Sequence, residues 1–169
     1  MSSNDLLIDG FGRIRESVHQ VLDGLDSDSL DFRADAAANS ISWLIWHLTR
    51  IQDDHIAAAG GLEQVWLSDG WEERCGLPLD PLDTGYGHGS EDVAVVLLGE
   101  DLLTGYHDAT YERTVSFINS LTEADMGKIV DQRWDPPVTM ATRLVSVLAD
   151  DLEHAGQAAF IKGLLDRRD

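Results

Sequence analysis

Residues 39–59 read NSISWLIWHLTRIQDDHIAAA. Apolar side chains recur there at helical spacing, with Asn39 or Ser40 before the run and Gly60-Gly61 after it. Asn and Ser accept hydrogen bonds from the free N–H groups of a first turn, and Gly adopts the left-handed cap that closes a last one. The spacing predicts a helix from about Asn39 to Ala59. With His47 as origin and about 100° per residue, Leu44, Ile51 and Leu48 fall at about 60°, 40° and 100°, and Trp43 at about 40° on the other side. An imidazole therefore sits inside the apolar arc that faces a core. Left unpaired there, it would cost a few kcal/mol. Its partner is either an ordinary core hydrogen-bonding group or a metal ion, and this helix alone leaves both open.

Three more segments share the pattern. A first helix is expected from about Asn4, as N-cap, to Leu25, and a third from Ser90 to about Ser120, opening on Glu91 and Asp92. A fourth starts at the cap Thr139, after the helix-forbidding Trp134-Asp135-Pro136-Pro137, and runs to about Leu165. No strand is expected, since Ile129-Val130 is too short to matter. Four such helices predict an all-α four-helix bundle in one domain over residues 1–169. The short first connection predicts that helices one and two are antiparallel neighbours. The long second connection, about residues 60–89, permits an up-down-down-up crossover as well as simple up-and-down. A loop of about 30 residues is unusual in a compact domain. Its Trp66, Trp71, Tyr86 and His88 form either a lid over a site or a cap on one end of the core.

Composition excludes several functions. The formal charge is -19, from 31 acidic and 12 basic residues, and no basic cluster exists to displace counterions from nucleic acid or an anionic membrane. No apolar run approaches the roughly 20 residues of a membrane span. Nothing at Met1-Ser2-Ser3-Asn4-Asp5 resembles a secretory signal, and the one cysteine, Cys75, fits a reducing compartment, so a cytoplasmic location is expected. Cys75 itself reads as incidental.

Asp150 and His154 stand i, i+4 on the fourth helix, one turn apart on one face. Imidazole and carboxylate both ligate Zn²⁺, Fe²⁺ or Ni²⁺. The apolar arc of that helix reads as Leu144, Leu148, Leu152, Ala155 and Ala159, which puts Asp150 and His154 well away from its centre. A solvated pair is the plain alternative. His55 and Asp54 lie about 12 and 10 Å along the axis from His47, too far to share its ion. His55 reads as a second-layer or packing residue. Arg50 is either a contact for an anionic substrate or a surface or ion-paired residue.

The stretches Trp43-Leu44-Ile45-Trp46-His47-Leu48 and Asp150-Asp151-Leu152-Glu153-His154-Ala155-Gly156-Gln157 together resemble the DinB-like superfamily of metal-binding four-helix bundles, which includes mycothiol- and bacillithiol-dependent transferases. The resemblance implies one divalent metal on His47, Asp150 and His154, with Zn²⁺ first and Ni²⁺ or Fe²⁺ as alternatives. Asp150 departs from the His or Glu of the family. Gln157, Arg50, Trp43 and His55 would surround the ligands. A mycothiol-like thiol would be the co-substrate and an electrophile its target; the oligomeric state stays open, a homodimer included. The alternatives are a non-catalytic metal-binding or stress-related bundle and a metal-dependent hydrolase.

Overall fold

The computed structural model describes residues 2–168. Its long helices are α1 (Ser3–Leu22), α3 (Ile41–Gly60), α7 (Glu100–Ser120) and α8 (Met140–Leu165). Short helices α2 (Ser27–Leu30), α4 (Val65–Ser68), α5 (Trp71–Cys75) and α6 (Ser90–Ala94) lie in the connections. Two short antiparallel strands that the sequence did not announce, β1 (Ile129–Asp131) and β2 (Val138–Thr139), close one end, with Ile129 opposite Thr139. They carry too few apolar residues for a period to register, and they hold by pairing across the Pro136-Pro137 turn.

The helix directions follow from what touches what. Asn4 donates to the carbonyls of Ile118 and Leu121, and Arg15 reaches Asp108, so α1 and α7 are antiparallel. Lys162 donates to the carbonyls of Gln20 and Asp23, while Gly10 packs against Leu148, so α1 and α8 are parallel. Thr49 meets His107 and Gln52 meets Thr114, so α3 runs parallel to α7. The bundle is therefore up-down-down-up. Helices α1 and α3 are antiparallel as expected, but they are not neighbours: each packs on both α7 and α8, and they occupy opposite corners.

Three helix ends correct the sequence reading. Ser2, not Asn4, caps α1 in a capping box with Asp5, and Asn4 instead satisfies the carbonyls at the end of α7. Helix α1 stops at Leu22 rather than Leu25. The expected third helix is broken: α6 ends at Ala94, and α7 begins only at Glu100. Between them Val96 and Leu98 are buried in the core, and the Ser42 hydroxyl accepts the Leu98 N–H at 2.9 Å. A backbone group captured this way is lost to a helix, and the β-branched Val95-Val96 gives little propensity to oppose it. The caps on Ser40 and Thr139 are as expected, and Gly61 closes α3 at φ +62°.

Helix α3 is buried on nearly every side, including Ser42, Thr49, Arg50, Gln52 and Asp53. Helices α7 and α8 cover two flanks, and the connection after Gly60, folded into α4, α5 and turns, covers a third. Helix α8 also differs from its sequence reading. Its buried stripe is Leu144, Val147, Asp151, Ala155 and Ala158, whereas Leu152 is 53 % exposed. The stripe is rotated toward Asp150 and His154, which then flank it on the side of α3.

Candidate metal centre

His47 from α3 and Asp150 and His154 from α8 bring one ligand atom each to a common point, all within 4.8 Å of one another. Antiparallel packing of α3 on α8 sets this. The two imidazoles lie edge to face with centroids 4.8 Å apart, and His154 Nε2 is 3.7 Å from Asp150 Oδ1.

Each ring is oriented from its far side. His47 Nδ1 donates to the Thr84 carbonyl at 2.5 Å, which leaves Nε2 with a lone pair. His154 Nδ1 is 3.1 Å from Gln157 Oε1, an acceptor, so its Nε2 is likewise free. Asp150 Oδ2 is buried with no hydrogen-bond partner. These three groups show the pattern of metal ligands: a neutral imidazole fixed by a second hydrogen bond, and a carboxylate oxygen otherwise unspent. The residues present therefore fit a divalent cation, and the shorter Asp150 side chain still brings an oxygen within 4.8 Å of both imidazoles. Burial pushes the proton affinity of His47 down, and neighbouring His154 adds to that, while the Thr84 carbonyl opposes it. A ring kept neutral keeps its lone pair.

The connection after α3 holds His47 in place. Gly85 has φ +86°, and a Cβ there would lie 2.7 Å from His47 Nδ1 and 3.0 Å from the Trp46 ring. Only glycine lets the chain come this close. Arg50 is fully buried, and its Nε donates to the Asp83 carbonyl at 3.0 Å, one residue before Thr84. It also contacts Gln64, Tyr106 and Asp53. Arg50 is thus not open to a substrate but is a buried, ion-paired residue, and it ties α3 to the segment that orients His47. Trp43 stacks on His47 at 4.5 Å and donates Nε1–H to His88 Nδ1, and His88 Nε2 in turn donates to Asp83.

Of the four loop residues considered as a lid, Trp66 is buried against Trp46 and Tyr106, and His88 is held within this network. Trp71 packs on Tyr106, and Tyr86 is 90 % exposed and covers nothing. His55 lies apart from the trio, 3.4 Å from Arg143. The sequence reading missed Asp83, Thr84 and Gly85, since one Gly among many in a long connection does not point to a particular histidine. It also missed Asp151, which is buried with both oxygens unpaired. Burial, reinforced by neighbouring Asp150, pushes its carboxyl well above the usual range.

A cavity of about 500 Å³ is lined by Gln157, the partner of His154, and walled by Ala38, Leu44, Gly156, Phe160 and Ile161, while none of the trio lines it. No helix is long and apolar enough to cross a membrane.

No curated protein matches. A crystal structure described as the conserved protein of locus from Enterococcus faecalis is 29 % identical, superposes with a TM-score of 0.90, and matches over 96 % of each chain. The mycothiol-S-transferase family profile matches residues 6–167. The chain belongs to the mycothiol-S-transferase family, a group of DinB-like helical bundles.

Proposed function

We propose that the protein is a divalent-metal-dependent transferase that activates a low-molecular-weight thiol of the mycothiol type for attack on an electrophile. The observation that carries this is the convergence of three ligand atoms whose other polar atoms are already spent or buried. Two imidazoles and one carboxylate suit Zn²⁺ with a position left open, and Ni²⁺ or Fe²⁺ accept the same donors. A metal held there lowers the pKa of a thiol presented to it.

The chain's own residues do the rest. Thr84 and Gln157 hold the two rings with Nε2 facing inward, so little reorganisation is needed when the site fills. Trp43 covers one face of His47 and limits water. The apolar cavity beside Gln157 takes the body of the electrophile. In the reaction the thiol gives up its proton and sulfur forms an S–C bond. The displaced electron pair leaves with a leaving group or moves to the acceptor atom of an activated double bond, and that atom takes up a proton. An exposed apolar stripe on α8, Val145, Leu152 and Phe160, supports a homodimer, which light scattering reads.

Elemental analysis after metal-replete expression is the first test. Wild type should carry close to one equivalent, and His47→Ala and His154→Ala less than about a tenth, a loss of more than tenfold in affinity. Metal-free wild type sinks the proposal. Metal without turnover of any thiol points to the non-catalytic bundle, and turnover without a thiol points to a hydrolase.

A further inference from the structure

A second cavity, about 210 Å³, lies on the α3–α8 seam at the hairpin end. Asp54 and His55 of α3, Asp131, Gln132 and Arg133 of the hairpin segment, and Arg143 of α8 line it. His55 is eight residues from His47, and Arg143 seven from Asp150, so the cavity lies roughly 10–12 Å along the seam from the ligand trio. That is the length of a small substrate.

Its wiring is unusual for this chain. Arg133 binds Asp131 through Nε (3.0 Å) and NH2 (2.9 Å), and Arg143 NH2 binds the same carboxylate at 2.9 Å. Among the described residues no other carboxylate holds two guanidinium groups. A guanidinium has five N–H donors, so several remain unspent on each arginine after these bonds. The Arg143 side chain is 14 % exposed and held from two sides, by Asp131 and by His55 Nε2 at 3.4 Å, so its position is set before any guest arrives. Arg133 is 84 % exposed, so to close on a guest it exchanges bonds to Asp131 for bonds to the guest. Asp54 also lines the cavity, 3.5 Å from His55 Nδ1 and accepting the Gln64 amide at 2.8 Å. Two positive and two negative groups cancel, so the cavity selects by geometry rather than by long-range attraction. Its arginine wall fits a carboxylate, and its Asp54 wall fits a hydrogen-bond donor beside that carboxylate.

We infer that this cavity binds the carboxylate of a small substrate on Arg133 and Arg143 and so aligns the rest of the molecule along the seam toward His47 and His154. The reaction served rests on the transferase reading above; carboxylate binding itself does not.

The test separates the two. Succinate and uncharged succinamide are titrated into the purified protein, with the Arg133, Arg143 and His55 resonances followed by NMR. The same titrations on His154→Ala exclude coordination of succinate by the metal. Succinate should shift those resonances in both proteins and succinamide should not. Arg133→Gln, too exposed to be needed for folding, should weaken succinate about tenfold. Equal responses to the two probes, or no effect of Arg133→Gln, overturn the inference.

Paired substrates then identify the source of the carboxylate. N-acetylcysteine is compared with its amide as thiol, and monomethyl fumarate with dimethyl fumarate as electrophile. The acid of one pair should have the lower KM, and Arg133→Gln should remove that preference. Succinate binding without a preference in either pair overturns the substrate role. Absence of all turnover defeats the transferase reading, while the titration still decides the carboxylate site.

Discussion

Helix α3 sends polar side chains into two seams, and the seams use them differently. Toward α7 they bond across to one another: Thr49 with His107, Gln52 with Thr114, and Asp53 with Tyr106. Toward α8 His47 does not, although His55 lies 3.4 Å from Arg143 nearer the hairpin. No hydrogen bond joins His47, Asp150 and His154 to one another: His154 Nε2 stands 3.7 Å from Asp150 Oδ1, and the hydrogen bonds of the two rings run outward, to Thr84 and Gln157. Each seam leaves polar atoms unpaired, His107 Nε2, Gln52 Oε1 and Thr110 Oγ1 toward α7 and Asp150 Oδ2 on α8, but among the described residues only the α8 side brings three ligating side chains to one point. Both contain a buried histidine on the same bundle, so burial alone does not separate ligand from core. What separates them is what lies beside the ring: His47 has a second imidazole and a carboxylate within 4.8 Å, and His107 joins no such group among the described residues.

The largest effect that would sharpen the contrast is on the α7 side. His107 is fully buried, and burial drops its pKa from 6.5 to about 4. The unfolded chain binds this proton below about pH 6.5, the folded chain only below about 4. Stability from keeping the ring neutral is therefore complete above 6.5 and lost as pH falls from there to 4. The loss should reach about 3 kcal/mol. Urea unfolding at pH 7, 5.5 and 4.5 should show that slope in wild type and a flatter one in His107→Gln, with metal content unchanged in the variant at pH 7. Equal slopes would mean that this ring does not report on the seam.

Gly85→Ala acts on the other seam and should have the next largest effect. The new Cβ meets His47 Nδ1 and the Trp46 ring, so the Thr84 carbonyl must move. The histidine keeps its place on α3 but loses the bond that fixes its tautomer and angle. Metal affinity should fall 10–100-fold, read by competition with a chromophoric chelator, while α-helix content is retained. A lower unfolding midpoint with unchanged affinity would reduce the Thr84 contact to a packing role.

The contrast also explains what could be read from the sequence. The bundle was legible because capping residues and apolar spacing are local, and Ser40, Gly61 and Thr139 act as local chemistry requires. His47 was legible for the same reason. The diagonal placement of α1 and α3 was not, because loop length limits reach without selecting a corner. Nor was the rotation of α8: Leu152 and Asp151 differ by one position, and hydropathy favours Leu152 for the interior, yet the structure buries Asp151. The centring of that stripe decides whether Asp150 and His154 face α3. The clamp at Asp83–Gly85 is a tertiary contact across more than 35 residues of chain, and no periodic pattern announces it.

Cys75 supplies the smallest expected effect, and the null is informative. A protein that activates an added thiol has no need of its own, whereas a bundle with a resident nucleophile would need a reactive one. Burial pushes the Cys75 thiol up to about 11, despite the opposing pull of Arg74 beside it. At pH 7.5 roughly three in ten thousand of such groups are thiolate, too few for rapid attack. Cys75→Ser should leave metal content and thiol-dependent turnover within about twofold, since the nucleophile is the co-substrate. Reaction of wild type with an aromatic disulfide reagent should likewise be slow at pH 7.5 and speed up on unfolding. Loss of turnover in Cys75→Ser at full metal content would move the nucleophile from the added thiol to the chain, and the open α3–α8 seam would then have to be read as an electrophile site.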